Sequence, residues 1–283
     1  MFKILGKKEL ASKVFYYLIE AADIARKALP GQFIILRLDD RGERIPITVS
    51  DSDSKQGTLS LYVQAVGKTS LEMSLMNEGD DILDIVGPLG NPSEIKRFGT
   101  VVLLGGGFGI AAIHPIARAL TEAGNNTISM LGAQTKERVI LEDEMRKVST
   151  DVRIATDDGS YGIRGMVTEI LRDMLEGGIS IDRVIAIGPL AMMQSISVLT
   201  RSYKIKTLVS LNPIMIDGTG MCGACRVAVG GEMKFACVDG PEFDGHAVDF
   251  EGLLSRLNSY APEEKESKEK YLAETGGICR VVY

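Results

Sequence analysis

Short apolar runs separated by turn residues characterise the first part of the chain. Phe33–Leu38 is a run of β-branched and other apolar residues, interrupted only by Arg37, and it follows the turn signal Pro30-Gly31. Residues 60–66 alternate between apolar and polar, and Ile82–Val86 forms another short run closed by Gly87-Pro88. Short strands with Gly, Pro and Asp between them are typical of antiparallel barrels and sandwiches. The sequence predicts a β-rich domain over residues 1–97.

From about residue 100 the pattern changes to strands that alternate with amphipathic helices. Residues 113–120 and 167–175 repeat apolar positions with helical spacing, and each helix ends near glycine. Strands are predicted at 101–104, 128–131, 152–155, 184–187 and 207–210. This alternation indicates a doubly wound parallel sheet. We expect an α/β domain over residues 98–210.

The last part of the chain has two further patterns. Residues 211–250 contain three of the four cysteines, together with Gly and Asp, and show little helical period. Residues 251–283 include the charged stretch Ala261–Lys270, which predicts a solvated helix or linker. The predicted fold is therefore α/β plus β, with a small C-terminal segment of 211–250 and a helical, charged tail.

Composition narrows the classes of function. The 283 residues carry 32 Lys+Arg and 38 Asp+Glu, a net charge of −6, which argues against a nucleic-acid partner or a polybasic membrane anchor. The first ten residues contain no apolar signal-peptide region, and few cysteines are present, so we expect a cytoplasmic protein. Phe98–Ala117 is uncharged, but its glycine triplet suits a strand, a turn and a helix better than a membrane span.

A glycine-rich turn lies between the first predicted parallel strand and its helix. Glycine permits close backbone approach, and a helix N-terminus attracts phosphate, so this turn predicts a pyrophosphate site; the alternative is a tight turn without a ligand. The spacing departs from G-x-G-x-x-G. Ligands of parallel sheets bind at the carboxyl ends of strands, where two more loops are predicted, at residues 156–162 and 188–193. The candidate nucleotide-binding residues are Gly105, Gly106, Gly107, Gly109, Ile110, Asp157, Asp158, Gly159, Gly188 and Pro189.

Three clustered cysteines predict a metal centre. Plant-type [2Fe–2S] proteins use C-x₄-C-x₂-C and a distant fourth cysteine. Cys222 and Cys225 supply the x₂ pair, Cys237 the distant ligand, and Asp217 occupies the position of the first cysteine. The alternatives are a zinc site of four thiolates that includes Cys279, and unrelated buried cysteines.

Two weaker motifs lie in the β-rich part. Arg44 to Thr48 forms R-x-P-x-T, which by itself is a common strand sequence. Gly67-Lys-Thr-Ser70 precedes a short predicted helix and could bind phosphate through its N–H groups and hydroxyls, or serve as an ordinary helix cap.

These motifs, in this order, resemble the ferredoxin–NADP reductase superfamily, in particular its branch with a C-terminal [2Fe–2S] cluster. The resemblance covers about residues 1–255. Within that branch, Asp217 and the run after Cys237 are most similar to small subunits of the NADH-dependent reduced ferredoxin:NADP oxidoreductase type. The family often has Pro where this chain has Ala112.

The resemblance implies a role for each motif. Residues 1–97 would be a flavin-binding β-barrel, whose FAD contacts would be Arg44, Pro46, Ile47, Thr48, Gly67, Thr69 and Ser70. Pro46 stands where other branches place a stacking Tyr. The glycine turn would bind NAD(H), with NADP(H) as the alternative because Lys136 or Arg138 could hold a 2′-phosphate. No side chain need act as an acid or base.

The resemblance also implies a partner: a larger iron–sulfur flavoprotein subunit, with ferredoxin reached through the heterodimer in an electron-bifurcating enzyme. A dihydroorotate dehydrogenase electron-transfer subunit with the same cofactors is the nearest alternative. A non-enzymatic redox sensor with zinc and a bound nucleotide is the alternative from another class.

Overall fold

A computed structural model describes residues 1–275 of the chain. Two antiparallel sheets form the N-terminal part, in the strand orders β5-β6-β2-β1-β7 and β4-β3-β8. In chain order the strands are β1 (Phe2–Ala11), β2 (Val14–Glu20), β3 (Phe33–Arg37), β4 (Ile45–Thr48), β5 (Asp51–Asp53), β6 (Thr58–Gln64), β7 (Asp81–Ile82) and β8 (Asp84–Leu89). Two helices accompany them, α1 (Ala22–Ala25) and α2 (Lys68–Leu75).

The two sheets enclose an apolar core because their strands alternate inward and outward residues. Leu59, Leu61 and Val63 of β6 are buried, while the residues between them are half-buried. They pack in one cluster with Ile34 and Leu36 from the other sheet. The predicted run 82–86 is divided between β7 and β8, which belong to different sheets.

A seven-stranded sheet follows, in the order β12-β11-β10-β9-β13-β14-β17, and only β17 is antiparallel to its neighbour. Its strands are β9 (Thr100–Gly106), β10 (Asn126–Ala133), β11 (Asp151–Thr156), β12 (Ile163–Arg164), β13 (Arg183–Ile187), β14 (Lys206–Ser210) and β17 (Glu242–Asp244). Its helices are α3 (Gly109–Glu122), α4 (Glu142–Val148), α5 (Val167–Glu176) and α6 (Leu190–Ser202). Apolar clusters cover both faces of the sheet. The predicted doubly wound domain is confirmed. The predicted loop 188–193 is shorter than expected, because α6 already begins at Leu190.

The cysteine segment contains one small hairpin, β15 (Arg226–Val229) and β16 (Glu232–Phe235). Its last strand, β17, adds to the edge of the parallel sheet beside β14. Two helices end the described chain, α7 (Phe250–Leu257) and α8 (Ala261–Thr275). No helix among residues 1–275 is both long and apolar enough to cross a bilayer.

The two N-terminal antiparallel sheets, together called the barrel below, meet the parallel sheet through apolar and ionic contacts. Val14 and Tyr62 of the barrel pack against the cluster that contains α3. Arg118 of α3 forms two hydrogen bonds with Asp51 of β5, at 2.9 and 2.7 Å. The arginine holds the pKa of the Asp51 carboxyl below its usual value although burial opposes it. A two-bond arginine–carboxylate pair has a defined orientation as well as distance, so it adds a directional contact to the apolar packing between the two parts.

Candidate functional site

A single cavity of about 1520 Å³ lies where the barrel, the parallel sheet and the cysteine segment meet. The barrel contributes residues 45–48 and 63–70, and the parallel sheet contributes its glycine loops. The cysteine segment contributes Leu211, Asn212, Met215 and Pro241, next to Ser210 at the end of β14. This volume exceeds the roughly 300–1,000 Å³ that is typical of small-molecule sites, so the cavity has room for a large ligand or for more than one.

The barrel wall contains most of the residues that were predicted to bind flavin. Pro46, Ile47 and Thr48 of β4 line the cavity, as does the segment Gly67–Ser70 at the N-terminus of α2. Arg44 does not line it: the side chain is exposed just before β4 begins.

The N-terminus of α2 combines a helix cap with an open surface. The Ser70 hydroxyl accepts hydrogen bonds from Val66 N and Gly67 N at 2.9 and 3.0 Å, so it closes the turn. The Thr69 hydroxyl donates to the Glu43 carboxylate at 3.0 Å. A methyl group at Gly67 would meet no atom within 4 Å. That open space beside free N–H groups fits a phosphate group.

The glycine turn lies at the switch point of the parallel sheet. Within the sheet, β10 lies next to β9 on one side and β13 lies next to it on the other, so the strand order reverses at β9. A crevice opens beyond the carboxyl ends of strands at such a point. Gly106 and Gly188 approach each other across it, since a methyl group at Gly188 would lie 3.0 Å from the Gly106 Cα. Gly107 has φ +54° and no atom within 4 Å of its methyl position. This backbone forms a cradle that a pyrophosphate can fill.

Two predicted residues of the turn pack against each other instead of facing the cavity. A methyl group at Gly105 would lie 2.8 Å from the Ile110 Cα, and Ile110 is fully buried. Gly105 therefore permits the close packing of α3 on β9, and Ile110 anchors the helix. Gly106, Gly107 and Gly109 line the cavity.

Of the residues predicted to bind nucleotide in the loops after β11 and β13, some line the cavity and others do not. Asp157, Gly188 and Pro189 line the cavity, whereas Asp158 and Gly159 do not. The Asp158 carboxylate accepts hydrogen bonds from Ser160 N at 2.9 Å and from the Ser160 hydroxyl at 2.6 Å. These bonds lower the pKa of Asp158. Asp158 shapes the loop that presents Asp157.

The β15–β16 hairpin brings two distant cysteines together. Cys225 precedes β15 and Cys237 follows β16, and both are almost fully buried. Their sulfur atoms lie 3.2 Å apart. Burial, followed by the neighbouring Cys225 sulfur, raises the pKa of the Cys237 thiol to about 12. Metal ligation needs thiolates, so binding a metal at this pair would release protons.

Asp217 and Cys222 lie on the loop that precedes the hairpin. The Asp217 carboxylate accepts hydrogen bonds from Thr219 N and Cys222 N, both at 2.8 Å, and these bonds lower the pKa of the Asp217 carboxyl. Its negative charge also contributes to the raised pKa of Cys237. Cys222 is exposed.

Across residues 1–275, no three side chains of His, Cys, Asp or Glu converge as a finished metal site. The ligand set Asp217, Cys222, Cys225 and Cys237 therefore stays a prediction. The donors nevertheless fit an iron–sulfur cluster: two adjacent buried sulfurs, an ionised carboxylate, and glycines with positive φ at 218, 220 and 223. Cys279 lies outside the described residues.

The loop with Asp217 packs directly on the barrel. A methyl group at Gly218 would lie 2.9 Å from the Ile35 side chain and would overlap the Leu89 side chain. Met215, two residues before Asp217, is buried and lines the cavity. The cysteine segment therefore adjoins the cavity through packed protein rather than solvent.

Several wall residues were not predicted from the sequence. Ser50 lies two residues after Thr48 and carries no motif, and Met215 resembles core filler. Glu263 and Ser267 of α8 also line the cavity, although the charged pattern of this helix suggested only a solvated surface. Only proximity to a known motif could have indicated Ser50.

Known proteins are similar to this chain over nearly its whole length. Residues 212–249 match the family model "Iron-sulfur cluster binding domain of dihydroorotate dehydrogenase B". A Thermotoga maritima protein named as a homolog of the dihydroorotate dehydrogenase B (NAD(+)) electron transfer subunit is 50% identical over 274 residues, which is 97% of this chain and 96% of that protein. The corresponding subunit of Listeria innocua is 32% identical, covering 87% of this chain and 97% of its own length.

Solved structures show the same fold. A chain of the NADH-dependent reduced ferredoxin-NADP oxidoreductase, a structure that gave insights into flavin-based electron bifurcation, superposes with a TM-score of 0.91. It is 49% identical and covers 96% of this chain and 98% of its own. Phthalate dioxygenase reductase superposes with a TM-score of 0.58 at 18% identity, covering 81% of this chain and 85% of its own, which shows the fold alone.

The fold and the cavity define an electron-transfer subunit of an oxidoreductase. The chain belongs to the family of dihydroorotate dehydrogenase B electron transfer subunits and their homologues. The fold class and the family that the sequence predicted are thus confirmed.

Proposed function

We propose that this chain is an iron–sulfur flavoprotein subunit that takes electrons from NADH and delivers them one at a time to a larger partner subunit, as in NADH-dependent reduced ferredoxin:NADP oxidoreductase. The observation that carries the proposal is the single cavity bounded by the barrel, the switch point of the parallel sheet and the cysteine segment. When bound, FAD would accept hydride from NADH and the [2Fe–2S] cluster would carry single electrons onward.

The side chains serve binding and orientation. Pro46 to Thr48 and the α2 N-terminus hold FAD, and Gly106, Gly107 and Gly109 hold the pyrophosphate of NADH. The Arg118–Asp51 pair fixes the angle between the two sites. Positioning of this kind can supply a large part of a rate enhancement without an acid or base.

The loop that contains Asp217 and Cys222 is where electrons leave this chain for the partner subunit. Met221 is 88% exposed and the neighbouring Cys222 is exposed. A cluster held beside them lies close to the molecular surface, where a partner can receive electrons. The net charge of −6 disfavours nucleic acid as that partner.

Expressed alone and reconstituted with FAD and cluster, the chain should reduce artificial dyes with NADH. It should not link NADH, NADPH and ferredoxin, because the cavity accounts for one proposed flavin and one nucleotide, and the linked reaction also requires the partner subunit. The measurement compares two rates: NADH-dependent dye reduction, and the reaction that links NADH, NADPH and ferredoxin. Both rates are measured before and after adding the co-purified partner. Full three-way activity of the single chain would refute the subunit proposal.

The nucleotide preference gives a second prediction: flavin in the isolated chain should be reduced at least about tenfold faster by NADH than by NADPH. The Lys136 ammonium lies 5.3 Å from the centre of the Tyr161 ring, and Arg138 donates to the Gln134 side chain. Both cations that could bind a 2′-phosphate are thus engaged within the protein, and a tenfold ratio corresponds to about 1.4 kcal/mol.

Stopped-flow reduction by each nucleotide measures this preference. Arg138→Gln is an informative variant, since Arg138 lines the cavity. It should leave the NADH rate unchanged. Arg153→Gln serves as control, because Arg153 lies within β11, does not line the cavity and pairs with Asp151. Faster reduction of the unmodified chain by NADPH would contradict the prediction.

A second candidate function is electron transfer to a dihydroorotate dehydrogenase catalytic subunit, which the matched family model and the names of the relatives favour. It uses the same cavity and differs in the partner. Purification of the native complex and assay of dihydroorotate oxidation distinguish the two, and oxidation at a substantial rate would replace the ferredoxin proposal.

A further inference from the structure

Ser50 has a buried hydroxyl that the protein leaves without a partner. Its side chain is 1% exposed, and within residues 1–275 its Oγ forms no hydrogen bond. The same residue lines the cavity. Buried hydroxyls nearly always have a hydrogen-bond partner because desolvation without one costs free energy. A molecule in the cavity would supply that partner.

The backbone around Ser50 holds the hydroxyl in place. Ser50 N donates to Ser60 O at 3.1 Å, and Val49 N donates to Gln32 O at 3.1 Å. The next residue, Asp51, pairs with β6 and with Arg118. These contacts fix the backbone of residues 49–51, so the Cβ of Ser50 stays at this wall of the cavity and only rotation about the Cα–Cβ bond redirects the hydroxyl.

The position of Ser50 on the barrel indicates the ligand. It follows Thr48 by two residues, on the wall that Pro46, Ile47 and Thr48 form. FAD carries hydrogen-bonding oxygen and nitrogen atoms along its ring edge and its ribityl chain. We propose that the Ser50 hydroxyl hydrogen-bonds to bound FAD and is a cofactor-binding residue outside the known motifs; this inference rests on the proposed flavin site.

Ser50→Ala is the direct test, because it removes only the hydroxyl. Binding of FAD to the apoprotein, followed by flavin fluorescence, should weaken about fivefold, as expected for the loss of one neutral hydrogen bond. The melting temperature of the apoprotein should stay the same or rise, since an unpaired buried hydroxyl is removed. The melting temperature of the FAD-loaded protein should fall. This opposite response distinguishes a ligand contact from a structural one.

Ser129→Ala is the matched control. Ser129 is fully buried, but its hydroxyl is bonded to the Ser149 hydroxyl at 2.8 Å. Its replacement should lower both melting temperatures and leave FAD affinity unchanged. Ser50→Cys, which keeps a weak donor, should give an intermediate FAD affinity and provides a second readout.

Each outcome has one meaning. Weaker FAD binding with a stable apoprotein supports the assignment. Unchanged FAD affinity in Ser50→Ala overturns it, and a loss of NADH affinity alone assigns the hydroxyl to the nucleotide instead. Failure of the unmodified chain to bind FAD at all would refute the proposed function itself, which separates the two failures.

Discussion

Gly109→Ala should destabilise the chain by about 1–3 kcal/mol, the range expected for overpacking a rigid core, and reduce NADH-dependent flavin reduction at least about tenfold. A methyl group at Gly109 would collide with the carbonyl group of Ile187 and lie 3.0 Å from the Gly188 Cα. Both neighbours are backbone atoms at the end of β13, so no side chain can rotate to make room. To fit the methyl group, α3 must move away from β13, and the pyrophosphate cradle moves with it.

Chemical denaturation and stopped-flow reduction measure the two effects. Gly6→Ala is the control, because its methyl group would meet only the Leu18 Cβ, at an ordinary 3.7 Å. That variant should change the free energy of unfolding by less than about 1 kcal/mol. An unchanged free energy of unfolding in Gly109→Ala, together with unchanged nucleotide binding, would show that the close approach is not required.

Replacing one cluster ligand should abolish the [2Fe–2S] EPR signal and most of the bound iron. We expect this result for Cys225→Ala and Cys237→Ala, because their sulfurs form the buried pair at 3.2 Å. We expect it also for Asp217→Asn, which keeps an oxygen acceptor for the N–H groups of Thr219 and Cys222 but removes the anionic ligand. Cys279→Ser should keep the cluster.

Asp239→Asn separates ligation from loop structure. The Asp239 carboxylate accepts a hydrogen bond from Phe235 N at 2.7 Å, at the end of the same hairpin. The Asp239→Asn variant should retain the full iron content of the unmodified chain. Asp217→Cys should keep a cluster with an altered potential, since thiolate is a softer ligand than carboxylate. If Asp217→Asn keeps its iron while Cys279→Ser loses the cluster, Cys279 is the fourth ligand.

Local patterns in the sequence were sufficient for most of the secondary structure. The residues of β6 alternate because one face of this strand is buried. β9 and β10 are buried almost throughout, because the parallel sheet is covered on both faces, so their sequences are continuous apolar runs. The segment 188–193 was wrongly expected to remain a loop, since Pro189 suggests a turn. Proline at a helix start is compatible with the helix that follows, because no N–H partner is needed there.

The roles of individual glycines could not be assigned from the sequence. Gly105 and Gly107 belong to one triplet, yet the first allows packing on Ile110 and the second faces the cavity. The difference depends on which side of β9 the helix covers, and sequence spacing does not encode that direction. Likewise, the hydroxyl of Ser70, a residue of a predicted motif, forms hydrogen bonds in a helix cap. Ser50, which belongs to no predicted motif, lines the cavity.

The sequence alone determined the class of protein, because its motifs are short and contiguous and occur in a fixed order. They are the R-x-P-x-T run among short strands, a glycine turn after a buried strand, and a C-x₂-C pair. Tertiary structure decided which residues share one site. Cys225 and Cys237 meet because a hairpin pairs their flanking strands, and Asp51 meets Arg118 because the barrel packs on α3. Such contacts depend on the packing of whole elements, whose free energy is spread over many residues and leaves no local pattern.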